Sequence, residues 1–183
     1  GCCTQVSVAS AIRIWTVETK KPMFLTDADV IANYSAESGY VPGNEATDQG
    51  GVELDVLARW VKTGYQGPAG INKLFAFGSV NFKDLNDVKR SIYALGGCYI
   101  GLVLPEYAVE LNGTNEWYLN DDADNSIAGG HAVFLHGYDD NFLFLNTWGR
   151  EWKMTYEFFE KYCDEAYGLV SNDWLDGHSH LSP

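Results

Sequence analysis

The sequence predicts an α+β fold with two lobes, a mainly helical lobe over about residues 1–75 and a mainly antiparallel-β lobe over about residues 76–183. Apolar residues recur with helical spacing in the first half and form short β-rich runs in the second. The chain has 183 residues, of which 46% are hydrophobic, so it is expected to form one domain with a substantial core. No internal repeat or low-complexity tract is visible.

The first two helices are predicted from apolar spacing and from a capping motif. Residues 3–19 carry apolar side chains on almost every face, which is typical of a central, buried helix. Thr26 and Asp29 have the spacing of a capping box, in which each side chain bonds the other residue's main-chain nitrogen. A short second helix is therefore expected after Thr26.

Two further helices are predicted with defined ends. The third is expected to end at Gly64, a C-cap candidate. The fourth is expected to begin after the N-cap Asp84 and to stop at Gly96. Their expected buried stripes are Leu54, Leu57, Ala58 and Val61 in the third helix, and Leu85, Val88, Ile92 and Leu95 in the fourth.

The second half of the chain is predicted to form strands. The runs "CYIGLVL", "HAVFLHGY" and "NFLFLNTW" are rich in β-branched and aromatic residues. Asp139 and Asp140 separate the last two runs with a turn signal, which predicts an antiparallel hairpin.

The charge of the chain excludes two classes of partner. Twelve Lys and Arg against 25 Asp and Glu give a net charge of −13. A chain this acidic repels phosphate backbones and anionic lipid surfaces, so neither nucleic acid nor a membrane is expected as a partner. No apolar stretch approaches the roughly 20 residues of a spanning helix.

Two of the four cysteines are candidates for thiol chemistry. Cys98 and Cys163 lie in apolar runs and are interpreted as small buried hydrophobes. Cys2 and Cys3 stand where the first helix is expected to start, and a helix N-terminus favours the reactive thiolate. A second requirement is an imidazole beside the thiol, oriented by a third group.

His131 is the best candidate for that imidazole. It follows Gly130, whose small size leaves room before the ring, whereas His178 and His180 lie in a polar tail interpreted as solvated. If the strands pair about the Asp139–Asp140 turn, His131 and Asn146 lie near the same end of the hairpin. Asn146 is then expected to accept a hydrogen bond from the imidazole and to fix its tautomer.

Three segments together resemble the papain-like cysteine peptidases. "GGHAVFLHGYDDNFLFLNTWGREW" is similar to the family's His and Asn segments, and "GCCTQVSVASAI" to its Cys helix. "DQGGVELDVLARWVKTGY" is similar to its Gly-Gly segment. The separations of 131 − 3 = 128 and 146 − 3 = 143 residues agree with the family's Cys-to-His and Cys-to-Asn spacing.

The resemblance implies a catalytic triad and a fold. Cys3 matches the nucleophile, His131 the general base and acid, and Asn146 its orienting partner, while Cys2 falls at a variable position. The implied fold is papain-like, with an active-site cleft between a helical and a β-rich lobe. The implied activity is hydrolysis of peptide bonds through an acyl-enzyme, without cofactor or metal.

Further residues are implied to meet the substrate. Gly50 and Gly51 match the glycine pair whose backbone runs along the bound peptide, and Gly130 precedes the catalytic imidazole. Trp148 matches the indole that shields the His–Asn hydrogen bond from water. The implied partners are a peptide or protein substrate and a propeptide or inhibitor.

The sequence also departs from the family pattern. Thr4 stands where most members have Trp, a form associated with bacterial relatives, and the disulfide cysteines of secreted members are missing, which favours an intracellular or bacterial enzyme. The family's oxyanion-hole Gln lies about six residues before the nucleophile, and Gln5 cannot replace it from beyond Cys3. Loss of one such donor lowers the rate on the order of 10²–10³-fold. Three alternatives stay open: the Gln stands upstream of Gly1, the oxyanion hole is built differently, or the protein is a catalytically weak or inactive binding module. An acyl transferase on the same scaffold is a further alternative, because nothing in the sequence separates acyl transfer from hydrolysis.

An acidic segment precedes His131. Asp122, Asp124 and Ser126 stand at two-residue intervals like the start of a calcium loop, but Ile127 and Val133 occupy the positions of its glycine and its glutamate. We interpret the segment as an acidic surface loop. Its charge leads to the hypothesis that basic substrate residues are preferred, and cleavage indifferent to Lys and Arg would count against it.

Overall fold

The computed structural model describes residues 1–110 and 114–177. The α+β class is confirmed. The chain forms two compact units, one of Gly1–Gly78 with the stretch from Leu169 onward, and one of Ser79–Gly168. The sequence predicts a helical lobe up to about residue 75, and the first unit also includes the C-terminal stretch.

The first unit is mainly helical. Its helices are α1 (Cys3–Glu18), α2 (Asp27–Ser38), α3 (Glu53–Lys62) and α7 (Asn172–Gly177), with a 3₁₀ turn at Glu45–Thr47. Strands β1 (Tyr65–Gly67) and β2 (Gly70–Asn72) pair in an antiparallel ribbon.

Helix α1 is buried along one broad face. Its buried apolar residues are Val8, Ala11, Ile12 and Trp15. The hydroxyls of Ser7 and Thr16 donate to carbonyl oxygens one turn back, at 2.9 and 2.7 Å, and so satisfy polar groups in this buried setting. The expectation of a helix buried on almost every face is wrong at its last turn, where Val17 is 49% exposed.

The predicted capping box of α2 is confirmed. The main-chain nitrogen of Asp29 donates to Thr26 Oγ1 at 3.2 Å, and that of Thr26 donates to Asp29 Oδ2 at 2.8 Å. The helix ends at Gly39, whose φ of +78° lies in the left-handed region that glycine adopts without strain.

Helix α3 is rotated relative to the predicted stripe. Val56, Leu57 and Trp60 are its buried residues, whereas Leu54 is 48% exposed. Trp60 explains the rotation because its indole stacks on Trp15 with ring centroids 5.8 Å apart. A tryptophan buries more apolar area than a leucine, so the helix turns this residue inward.

The second unit is built on a mainly antiparallel sheet. Its elements are α4 (Leu85–Leu95), β4 (Cys98–Pro105), α5 (Glu106–Val109), β5 (Glu116–Trp117), β6 (Ile127–Tyr138), β7 (Phe142–Thr147), β8 (Arg150–Thr155) and α6 (Tyr156–Tyr162). With β3 (Ala76–Ser79) and β9 (Cys163–Val170), the strand order is β3-β9-β4-β6-β7-β8-β5. Strand β4 pairs with β6 and β9, and β7 with β6 and β8, all antiparallel; β5 pairs with β8 in parallel.

The predicted ends of α4 are confirmed. The carboxylate of Asp84 accepts the main-chain N–H of Asn86 at 2.9 Å, and Gly96 ends the helix with a φ of +72°. Cys98 and Cys163 are both buried, as predicted, and burial raises the pKa of both thiols, that of Cys98 to about 12. Neither is therefore a candidate nucleophile.

The hairpin about Asp139–Asp140 is confirmed. Tyr138 pairs with Leu143 across the turn. The carboxylate of Asp139 accepts the main-chain N–H groups of Asn141 and Phe142, each at 2.8 Å, which fixes the turn locally. Within the described ranges, no helix is long and apolar enough to cross a membrane.

Gly97 is a position where any side chain is expected to destabilise the second unit. A Cβ atom there would overlap the ring of Phe134, which is fully buried. We expect Gly97→Ala to lower the free energy of unfolding by about 1–3 kcal/mol, because the core must shift to admit the methyl group. Urea denaturation measures the change. Gly78→Ala is the control, since a Cβ there meets open space; equal losses in both variants would contradict the prediction.

Candidate active site

The candidate nucleophile stands at the start of α1. Cys3 is the first residue of the helix and Cys2 is its N-cap. The main-chain nitrogens of Gln5 and Val6 both donate to the Cys2 carbonyl at 3.0 Å, so the first turn is well formed. All four cysteines are reduced thiols. The predicted position of Cys3 at a helix N-terminus is confirmed, and that setting favours a thiolate.

Cys2 lies beside a groove between α1 and α2. It lines a surface groove of about 290 Å³ beside Val6, Ala9 and Arg13 of α1 and Val30 of α2. The spacing of the α1 residues follows one helical face. The non-catalytic assignment of Cys2 stays a prediction.

Gly50 and Gly51 are held beside the first turn of α1. The N–H of Gly50 donates to the hydroxyl of Tyr34 at 2.9 Å, and Gly50 has a φ of +74°. A Cβ atom on Gly51 would lie 2.7 Å from Thr4 Oγ1, so this close approach requires glycine. The geometry explains why two glycines occur here, and their contact with substrate stays a prediction.

His131 belongs to the second unit, on the core face of β6. Val133 and Leu135 follow it at two-residue intervals, and both are fully buried in the core. Leu135 pairs directly with Leu145 of β7, so these side chains share one face of the sheet. On that face, His131 Nε2 is hydrogen-bonded to the hydroxyl of Thr147 at 2.8 Å.

Asn146 lies on the other face of β7. Along this strand Leu143, Leu145 and Thr147 are buried, while the alternate residues Phe142, Phe144 and Asn146 are half-buried. Successive side chains of a strand point to opposite faces. In the structure the imidazole shares a hydrogen bond with Thr147, the residue after Asn146, and the role of Asn146 in orienting His131 stays a prediction.

Trp148 covers one side of the His131 ring. The two rings stack with centroids 5.2 Å apart and planes 27° from parallel. Trp148 has a φ of +49°, a left-handed conformation that is uncommon for a bulky residue. Such strain is typical of functional sites, and here it turns the indole onto the imidazole.

Trp117 packs against His131 and Trp148 of the candidate site, and no sequence pattern predicts it there. It is 2% exposed, and its Nε1–H donates to the Ala108 carbonyl at 2.9 Å. Its ring meets His131 edge-on at 6.1 Å and Trp148 edge-on at 5.6 Å. Trp117 stands in the polar segment "NGTNEWYLN", which has no apolar period to indicate burial.

Burial controls the charge of His131. Removal of the ring from water lowers its pKa from 6.5 to about 4. The imidazole is therefore neutral at neutral pH and able to accept a proton, unless an adjacent negative charge stabilises the imidazolium.

We expect this shift to make the protein less stable in acid. The unfolded chain protonates His131 with a pKa near 6.5 and the folded chain with one of about 4, so unfolding takes up a proton between these values. Stability is fully present above about pH 6.5 and falls as the pH drops towards 4, by up to about 3 kcal/mol. Urea denaturation at several pH values measures it. His131→Gln should flatten this part of the curve, and identical curves for both proteins would contradict the assignment.

The acidic segment before His131 forms an ordered loop. The carboxylate of Asp124 accepts the N–H of Ser126 at 2.9 Å, and Asp121 and Asp122 are exposed. Across the described residues, no group of three or more His, Cys, Asp or Glu side chains is placed to hold a metal ion. His178 and His180 lie outside the described residues.

The sequence matches no protein-family model and no curated protein. Its structure is similar to solved cysteine proteases. Xylellain from Xylella fastidiosa gives a TM-score of 0.76 at 18% identity, over 93% of this chain and 80% of xylellain. The Carica candamarcensis cysteine protease CMS1MS2, solved with E-64, gives 0.64 at 15% identity, over 94% of this chain and 89% of that one. Digestive procathepsin L 3 of Tenebrio molitor gives 0.62 at 14% identity, over 92% of this chain and 62% of that one.

These likenesses extend over nearly the whole chain. At 14–18% identity they concern the path of the backbone, not the residues that act. The resemblance found in the sequence motifs is thereby confirmed at the level of the fold. The chain has the fold of the papain-like cysteine proteases.

Proposed function

We propose that this protein is a cysteine peptidase that hydrolyses peptide bonds through an acyl-enzyme on Cys3. The observation that carries the proposal is the position of Cys3 as the first residue of α1, in a chain with this fold. The motif order in the sequence supports His131 as its partner, since Cys3 and His131 stand at the family's spacing.

The first step forms the acyl-enzyme. The Cys3 sulfur attacks the carbonyl carbon of the substrate, and the thiol proton passes to His131. The carbonyl oxygen becomes an oxyanion, for which the main-chain N–H of Cys3 is the proposed donor. The protonated His131 then gives its proton to the leaving amine as the carbon–nitrogen bond breaks, which leaves a thioester on Cys3.

The second step releases the product. Neutral His131 takes a proton from water, and the resulting hydroxide attacks the thioester carbonyl. The carbon–sulfur bond breaks, the sulfur regains the proton from His131, and a carboxylic acid leaves. Burial lowers the pKa of His131 to about 4, so the ring is neutral at neutral pH, the form that accepts a proton, and it is a weaker base than an ordinary imidazole.

The substrate is proposed to be a peptide in extended conformation. The backbone of Gly50 and Gly51 would run along it, because the absence of side chains permits close approach. Gly130 would leave room before His131. One similar protein was solved with E-64 and another is a procathepsin. For this chain we propose that an epoxide inhibitor or a propeptide would occupy the same site.

A peptide library tests the proposal. The protein is incubated with unlabelled peptides of varied sequence, and mass spectrometry identifies the products. We expect fragments with free carboxyl ends, and their loss after treatment with an epoxide inhibitor. Intact peptides after long incubation would contradict the proposal and favour an inactive binding module. If added amines appear in the products at the expense of free carboxyl ends, the protein is an acyl transferase.

A further inference from the structure

The imidazole of His131 is tied to the hydroxyl of Thr147, the residue after Asn146. Nε2 and Oγ1 are 2.8 Å apart, and Thr147 is only 4% exposed. Thr147 also pairs with Arg150 at the turn between β7 and β8, so its backbone belongs to a regular ladder. The hydroxyl is therefore presented from a fixed position, with little water to compete for it.

The neighbouring Asn146 does not share this position. It continues the half-buried face of β7, whereas His131 and Thr147 share the core face. A side chain on the opposite face would have to cross the strand to reach Nε2, because strand side chains alternate. The motif predicts that Asn146 makes this contact, but Thr147, one position later, makes it.

We propose that Thr147 is the positioning residue for His131, holding the ring at Nε2 so that Nδ1 is the atom that exchanges the proton with Cys3. The catalytic meaning of this contact rests on the proposed peptidase function. The contact itself is a property of the second unit alone, since β6 and β7 both belong to it.

A hydroxyl can serve both protonation states of the ring. With the proton on Nε2, Thr147 Oγ1 accepts the hydrogen bond and leaves the lone pair of Nδ1 available to a thiol. When Nδ1 takes up a proton, Nε2–H keeps the same bond to Oγ1, so the ring need not turn during the reaction. The stacked ring of Trp148 and the edge of Trp117 restrict the remaining rotation.

Hydrolysis by matched variants provides the first test. We expect Thr147→Val to lower kcat/KM about tenfold, as for the loss of one buried hydrogen bond, and Thr147→Ser to keep it within about threefold. We expect Asn146→Ala to lower kcat/KM by a smaller factor than Thr147→Val. Thr63→Val, at the exposed end of α3, is the control for the substitution itself. A larger loss in Asn146→Ala than in Thr147→Val would overturn the proposal.

Nitrogen NMR of His131 provides a test that needs no turnover. Thr147→Val should shift the Nε2 resonance and alter the tautomer ratio, Thr147→Ser should restore both, and Asn146→Ala should leave Nε2 in place. An Nε2 resonance unchanged in Thr147→Val would overturn the proposal. If the wild-type protein hydrolyses no peptide, the peptidase function fails while the resonances still decide the role of Thr147. If Thr147→Val lowers thermal stability, Thr147→Ala is measured instead. It also removes the hydroxyl, and the Nε2 resonance of His131 is again the readout.

Discussion

Replacement of Cys3 by alanine is expected to lower kcat/KM for peptide hydrolysis by at least about 10⁴-fold. The alanine variant keeps the helix but has no atom that can form the thioester, and only substrate binding and oxyanion contacts remain. Cys3 is partly exposed at the first residue of α1, so the substitution removes little buried surface. Steady-state kinetics with a peptide found by the library measure the loss, and thermal unfolding verifies the fold.

Cys2→Ser is the matched control. It removes the adjacent thiol, which lines the groove beside α2, and it is expected to keep kcat/KM within about threefold. A loss in the Cys2 variant as large as that in the Cys3 variant would mean that the nucleophile has been assigned to the wrong residue.

Replacement of His131 by alanine is expected to cause a loss of similar size. Without the imidazole, the thiol proton has no acceptor and the leaving amine has no proton donor. The rate losses caused by removing residues that act as a unit are far from additive. The double variant with Cys3→Ala should therefore be hardly slower than either single one. His131→Ala removes a ring stacked on Trp148, so its thermal unfolding is measured alongside the kinetics.

His136→Ala is the control for His131. Both residues lie on β6, and burial lowers the pKa of both, yet His136 faces Glu151 at 3.9 Å. We expect kcat/KM of the His136 variant to stay within about threefold of the wild-type value. Equal losses in the two histidine variants would show that removal of a histidine from β6 acts through stability rather than chemistry.

The sequence predicted the fold best where local signals and burial agree. The capping box of Thr26 and Asp29, the Asp84 cap and the Asp139 turn each involve residues within a few positions of one another. Their hydrogen bonds are decided locally, so one sequence suffices to find them. The rotation of α3 depends instead on the contact of Trp60 with Trp15, a contact between distant positions that helical periodicity does not contain.

The sequence likewise predicted the parts of the candidate site that depend on local signals. Cys3 at a helix N-terminus and His131 on a strand follow from motif and pattern. The partner of His131 depends on register, because a shift of one residue moves a side chain to the other face. The pairing of Leu135 with Leu145 puts Thr147 rather than Asn146 on the face of His131. The contact of Trp117 with His131 was not predicted because Trp117 lies in β5, and a strand of two residues is too short to show a sequence period.

The central claim is that Cys3 is activated by His131, and the rates at which the two adjacent thiols are alkylated test it most directly. Wild-type, Cys2→Ser and His131→Ala proteins are treated with an epoxide at about pH 6, and tandem mass spectrometry locates the modified residue. We expect selective labelling of Cys3 in the first two proteins, since an activated thiol reacts below the pKa of about 8.5 of an ordinary one. In His131→Ala, the rate at Cys3 should fall to that of Cys2. Equal labelling of Cys2 and Cys3 in the native wild-type protein would contradict the account.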